Sequence, residues 1–255
     1  MFRVSLPKWR ERGIIEQLLE GRSISTTNCF KLIAIDSGRT AVQTNRITHV
    51  YGPPKSGKTT LSANIALLLA QAGLQVAIIS TERPIEIRMD SIIQSDDSLS
   101  DAFLENIFST EEYSFKGLCQ LLASGLDQIE SSVDLLIIDS LTATYRQVAN
   151  ARSLTLLRKA LAALQAMAFR KQKAILFTNQ VSSRMDGLNT FRPVASATVR
   201  NYSDVTLRLV KKSNGQTELS FEDVNGIEEA VLPPLTIGAK GFEEFNSVFE
   251  LVTNY

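Results

Sequence analysis

The chain has 255 residues, 44% of them hydrophobic, and its 27 Lys and Arg balance 27 Asp and Glu. That length holds one large α/β domain or two small ones, and the hydrophobic fraction excludes a disordered chain. No apolar run approaches the ~20 residues that cross a bilayer and no signal-peptide stretch opens the chain, so a soluble, cytoplasmic protein without membrane contact is expected.

In chain order, residues 1–22 stand apart. Ile14, Ile15, Leu18 and Leu19 would line one face of a short helix whose other face carries Arg12, Glu16 and Glu20, with Trp9 as a packing anchor. This reads as an N-terminal helical extension to a domain over 23–255. From Arg46 onward, short apolar runs alternate with helical stretches, the pattern of a mostly parallel sheet flanked by helices. Strands are expected over Arg46 to Tyr51, Gln75 to Ser80, Asn106 to Phe108, Val133 to Asp139, Ala174 to Asn179, Val205 to Lys211, Gln216 to Phe221 and Leu232 to Ile237. The clearest helices are Lys58 to Ala72, ended by Gly73, and Ala151 to Lys171, where Leu154, Leu157, Leu161, Leu164 and Met167 recur at helical spacing. After Thr206, turn signals at Ser213-Asn214-Gly215 and Asn225-Gly226 predict antiparallel C-terminal strands. Cys29 and Cys119 lie far apart and His49 is the single histidine, so neither a disulfide framework nor a Cys/His zinc site can be assembled.

Gly52-Pro53-Pro54-Lys55-Ser56-Gly57-Lys58-Thr59 matches G-x-x-x-x-G-K-[ST], directly after an apolar strand and opening a long helix. In such a loop, inward-pointing backbone N–H groups and a helix N-terminus bind phosphate. Pro53 and Pro54 donate no N–H, so the nest is expected from Ser56 to Thr60, with Lys58 bridging β- and γ-phosphates and the Thr59 hydroxyl on Mg²⁺. The run Val133 to Asp139 delivers the Asp139 carboxylate to the same sheet edge, where it would support the metal. Thr81-Glu82 follows another strand and brings a carboxylate suited to act on water. Gln180, after Phe177-Thr178-Asn179, would touch the γ-phosphate and report ATP against ADP.

Charge is unevenly distributed. Residues 140 to 212 carry 13 basic and 2 acidic side chains, whereas 82 to 139 carry 3 and 13. Arg184, Arg192 and Arg200 share a loop region with Phe191, and Arg146 and Arg152 start the preceding connection; guanidinium groups meet phosphates and a ring can stack a base. The alternative is that these are solvated side chains whose blocks interleave on folding.

Together these elements resemble the RecA/RadA recombinase family, most closely its short archaeal RadB paralogs, over about residues 23 to 245. The likeness rests on Ile24 to Cys29, on Arg46 to Pro54, on Ser80-Thr81-Glu82, on Leu136 to Arg146 with its Asp139-Ser140 pair, and on Thr178-Asn179-Gln180-Val181. It implies a RecA-like P-loop ATPase core, ATP and Mg²⁺ as ligands, Glu82 as the catalytic glutamate, Val181 to Arg200 as the loop that meets DNA, and Arg88 as an arginine that packs on adenine. It also implies single-stranded DNA, a recombinase or other repair protein, and further copies of the chain as partners.

Two departures point away from filament formation and strand exchange: no Phe-x-x-Ala motif is found, Phe2-Arg3-Val4-Ser5 being a poor substitute, and the Gly-Gly expected after Pro193 reads Val194-Ala195-Ser196. The turn before the phosphate loop, Gly-rich in the family, has only Gly38 between Lys31 and Thr44. The expectation is an ATP-binding, DNA-associated accessory protein of recombination and repair with slow Mg²⁺-dependent ATPase activity. A RecA-fold nucleotide-switched regulator acting through protein partners without DNA is the competing reading.

Overall fold

The computed structural model describes residues 28–96, 101–124, 126, 132–183 and 191–253. The helix expected within 1–22 and Arg184 lie outside them. The strands are β1 (Phe30–Ala34), β2 (Arg39–Gln43), β3 (Ile47–Tyr51), β4 (Val76–Ser80), β5 (Ile107–Glu111), β6 (Leu135–Asp139), β7 (Ala174–Asn179), β8 (Val181–Ser183), β9 (Phe191–Pro193), β10 (Val205–Lys211), β11 (Thr217–Glu222), β12 (Glu228–Val231), β13 (Ile237–Gly238), β14 (Gly241–Phe242) and β15 (Phe249–Thr253). The helices are α1 (Lys58–Gln71), α2 (Glu86–Ser95), α3 (Phe115–Ser124), α4 (Ala151–Lys171), α5 (Ser196–Arg200) and α6 (Phe245–Val248).

Eight strands form one sheet in the order β12-β11-β10-β3-β7-β6-β4-β5. The six from β10 to β5 run parallel, and β11 and β12 are antiparallel additions, as the turn signals predict. Strands β3, β4, β6 and β7 are buried at every position. Only a sheet covered on both faces makes near-continuous apolar runs fold this way. One face packs on α1 and α2 through residues such as Leu61, Ile65, Ile78 and Leu207. The other packs on α3 and α4 through Leu118, Leu122, Leu157, Leu161 and Phe177.

Helix α1 is apolar around most of its circumference, as a helix enclosed on several sides must be, and ends at Ala72 before Gly73 with φ +81°. Helix α4 starts where Asn150 accepts the Ser153 N–H at 2.9 Å, so the predicted span of residues 151–171 is reproduced with its cap.

The expected strand Leu232 to Ile237 does not form. Pro233 and Pro234 lack N–H groups and fix φ, so the ladder ends with β12, and Leu235 makes only an isolated bridge to Thr217. A second sheet, β15-β1-β2, was not expected: β1 and β2 pair as a hairpin turned at Gly38 (φ +64°), and β15 pairs with β1 from the far end of the chain. Among the described residues, no helix is long and apolar enough to cross a membrane.

Candidate nucleotide and nucleic-acid site

The C-terminal ends of β3, β4, β6 and β7 lie side by side, and each delivers one polar element to the same edge of the sheet. From β3 comes the loop Gly52 to Gly57. Gly52 packs so closely on β10 that a Cβ would lie 2.2 Å from the Leu209 carbonyl oxygen. Gly57 adopts φ +100°, and a Cβ there would meet Phe242 at 2.7 Å and Ile237 at 2.8 Å. The two ends of the motif therefore require glycine for local reasons.

The N-terminus of α1 has no side-chain cap and no acidic residue in its first turn. Its leading N–H groups are left for an external acceptor, and the helix dipole favours an anion there. The Ser56 hydroxyl is buried in the loop without a hydrogen-bond partner. Lys58 Nζ lies back on the loop, donating to the carbonyls of Gly52 at 2.8 Å and Pro53 at 2.9 Å. Burial lowers the Lys58 pKa, while Asp139 and Glu82 act in the opposite direction. Arg88, on α2, reaches over the first turn of α1, donating to Thr60 Oγ1 at 3.3 Å and to the Gly238 carbonyl at 2.7 Å.

Asp139 ends β6, where Thr59 donates to its Oδ2 at 2.7 Å and Thr178, the last residue but one of β7, donates to Oδ1. Burial raises the Asp139 pKa, opposed by the two threonine hydroxyls and by Lys58, and Glu82 adds to the rise. The Asp139–Ser140 peptide is cis, and Thr81 brackets it, donating to the Ser140 carbonyl at 2.7 Å and accepting from its N–H at 2.9 Å. A hydroxyl and a carboxylate are hard oxygen donors that suit Mg²⁺. With the uncapped helix, the orphaned Ser56 hydroxyl and the folded-back lysine, the residues present fit a Mg²⁺-bound nucleoside triphosphate.

Glu82 and Gln180 meet: Gln180 Nε2 donates to Glu82 Oε1 at 2.8 Å, and Arg146 Nη1 donates to Gln180 Oε1 at the same distance. Thr142, Thr178 and Thr81, to which sequence reasoning gave no role, hold this edge together. Thr142 donates to Asn179 Oδ1, and the Gln180 N–H donates to Thr142 Oγ1 at 3.3 Å. Their signal was present in the quoted segments around Asp139 and Gln180, but a hydroxyl in an apolar strand does not announce its partner.

Of the residues expected to face DNA, Arg146, Arg152, Phe191 and Arg192 are exposed, the last two on the ribbon formed by β8 and β9. Arg200 is not. Its Nη2 donates to Glu222 Oε2 at 2.8 Å, and the side chain keeps only 12% of its exposure. The same carboxylate accepts from Tyr51 Oη at 2.6 and 2.7 Å. Expecting Arg200 to contact nucleic acid is thus corrected: β11 folds back beside α5, and a buried carboxylate claims the guanidinium because neither charge is tolerated there alone. Next to this cluster His49 is fully buried, stacked on Tyr51 and Phe177, and neither ring nitrogen has a partner. Burial and the Arg200 charge hold its pKa down to about 3.

Comparison with known proteins gives the family. The family described as Rad51 matches residues 24–224. A protein of Methanothermobacter thermautotrophicus is 31% identical over 175 residues, covering 66% of this chain and 74% of its own. Similar proteins from Halobacterium salinarum, 25% identical with 77% and 84% covered, and from Methanococcus maripaludis, 26% identical with 82% and 96% covered, match over longer stretches. All three carry the name DNA repair and recombination protein RadB.

Proposed function

The chain belongs to the Rad51 family, and on that premise we propose that it is an ATP-binding, DNA-associated accessory protein of recombination and repair, with slow Mg²⁺-dependent ATPase activity. Residues 23–255 form the RecA-like ATPase domain in this reading. The observation that carries it is the convergence at one sheet edge of an uncapped phosphate loop, the Thr59–Asp139 pair, and the Glu82–Gln180 pair.

Each residue has a separable task. The N–H groups of Ser56 to Thr60 take the phosphates, and Lys58 exchanges the carbonyls of Gly52 and Pro53 for phosphate oxygens. Thr59 and Asp139 would hold Mg²⁺, which neutralises phosphate charge. Glu82 orients and deprotonates water, Gln180 senses the triphosphate, and Arg88 lies where it can cover the base. Arg146, Arg152, Phe191 and Arg192 form the exposed face toward single-stranded DNA.

Changing Lys58 to Ala removes the charge that the phosphates need, and calorimetric titration with Mg²⁺–ATP is expected to show no binding. Retained ATP affinity in Lys58→Ala would sink the nucleotide assignment. Titration with single-stranded DNA at several salt concentrations separates the DNA reading from a regulator that acts through protein partners alone. A steep loss of affinity with salt supports DNA, and no binding at low salt refutes it.

A further inference from the structure

Asp139 ends β6 beside the phosphate loop, buried, with both carboxylate oxygens engaged. Thr59 donates to Oδ2 at 2.7 Å, and Thr178 donates to Oδ1. An ionised carboxylate only accepts, so both hydroxyls act as donors. The two bonds differ in permanence. Thr59 is half-buried in the first turn of α1, and its oxygen is the one offered to the cation in the reading above, so its bond to Asp139 is exchangeable. Thr178 has no exposed surface and lies in the middle of the sheet, opposite Val50 of β3. Its carbonyl accepts the Leu141 N–H at 2.9 Å, which ties the chain just beyond Asp139 to β7. A β-branched side chain is stiff at χ1, so the Thr178 hydroxyl is a fixed point. The Asp139 carboxylate, by contrast, turns on a soft torsion. Thr178 therefore sets the plane of that carboxylate and keeps Oδ1 occupied.

We propose that Thr178 is a positioning residue that decides which cation the nucleotide site takes: by occupying Oδ1 it leaves Asp139 a single oxygen to offer, and so selects Mg²⁺ over Ca²⁺. The inference rests on the nucleotide reading above and names the ion specificity of that same site. Mg²⁺ demands a compact octahedron of single oxygens, whereas Ca²⁺ takes about six to eight oxygens and accepts a carboxylate through both at once. To chelate through both, Asp139 has to give up Thr178 and leave a hydroxyl buried in the sheet without a partner. A buried polar group that loses its partner carries its full desolvation cost. That cost falls on Ca²⁺ alone, because a ligand acting through Oδ2 leaves the bond at Oδ1 intact. The same bond fixes the direction in which Oδ2 is presented, as hydrogen bonds from outer partners do for metal-binding side chains generally.

The test measures binding of a non-hydrolysable ATP analogue by calorimetry in saturating Mg²⁺, in saturating Ca²⁺ and in EDTA. Wild type should bind about tenfold or more tightly in Mg²⁺ than in Ca²⁺, and equal affinity in the two would refute the proposal without any variant. Thr178→Val keeps the branched shape and removes the hydroxyl. Its affinity in Mg²⁺ is expected to fall about 10- to 100-fold, with a smaller loss in Ca²⁺ and none in EDTA, so that the preference for Mg²⁺ narrows. Thr178→Ser, which keeps the hydroxyl, should recover most of that preference. Equal losses in the two ions would make Thr178 a support for Asp139 with no part in ion choice, and overturn the proposal. A loss of the same size in EDTA would reveal a general distortion of the phosphate loop and overturn it too, as would wild-type affinities in Thr178→Val. If wild type binds the analogue in none of the three conditions, the nucleotide reading fails and this inference with it. Binding in Mg²⁺ together with any of the refuting patterns fails this inference alone.

Discussion

Replacing His49 with Leu tests the one histidine of the chain, which is buried in the interior. His49 is the centre of β3, stacked between Tyr51 and Phe177, with both ring nitrogens unpartnered and with the Arg200 guanidinium and the Glu222 carboxylate nearby across β10 and α5. Its pKa falls from 6.5 to about 3 on folding. The unfolded chain therefore takes up this proton first. The stability is fully present above pH 6.5 and is lost progressively as pH falls toward 3. At about 1.36 kcal/mol per pKa unit, roughly 2 kcal/mol is lost between pH 7.5 and 5.0, and about 4 kcal/mol by pH 3. Leucine is of similar volume and cannot titrate. Urea unfolding followed by far-UV circular dichroism at pH 7.5 and 5.0 should show His49→Leu losing about 2 kcal/mol less than wild type over that interval. Other titrating groups, Asp139 and Asp134 included, are common to both proteins and cancel in the difference. Equal acid sensitivity in the two would refute the reasoning, because it would mean that folded His49 protonates as readily as the unfolded one.

Arg200 and Arg192 should separate cleanly. Arg200→Met removes the nearer of the two cations on the buried Glu222 carboxylate, leaving Arg208 at 3.9 Å, and is expected to cost about 3 kcal/mol in chemical denaturation, much of it recovered when Glu222→Leu is added. Arg192→Ala should leave the melting temperature unchanged and lower the salt slope of DNA binding by about 1; a stable Arg200→Met would show that the ion pair is not closed in solution. Gly57→Ala places a methyl 2.7 Å from the Phe242 ring on a backbone at φ +100°. It should destabilise by about 1–3 kcal/mol and abolish ATP binding, checked by melting and calorimetry, and tight ATP binding would show that the loop relaxes around the added atom.

What the sequence decides by itself is local. Gly52 to Thr59 carries its own mechanism, since a tight turn, an N–H nest and a following helix need only contiguous residues. The fully apolar runs ending in Ser80, Asp139 and Asn179 must be central parallel strands, which is enough to bring Glu82, Asp139 and Gln180 to one edge in the order required. Helix α4 is legible from spacing alone. The failures are pairings between distant residues. Leu232 to Ile237 has the composition of a strand, yet two adjacent prolines deny it a ladder. The strand Phe30–Ala34 shows alternation, but its partner β15 lies at the opposite end of the chain. Arg200 reads as one more basic residue in a basic block until β11 brings Glu222 against it. Residue type sets which charges can meet a phosphate. Which of them remain free to do so is settled only when the sheet has closed, because a buried carboxylate must take its cation from whatever side chain the fold delivers.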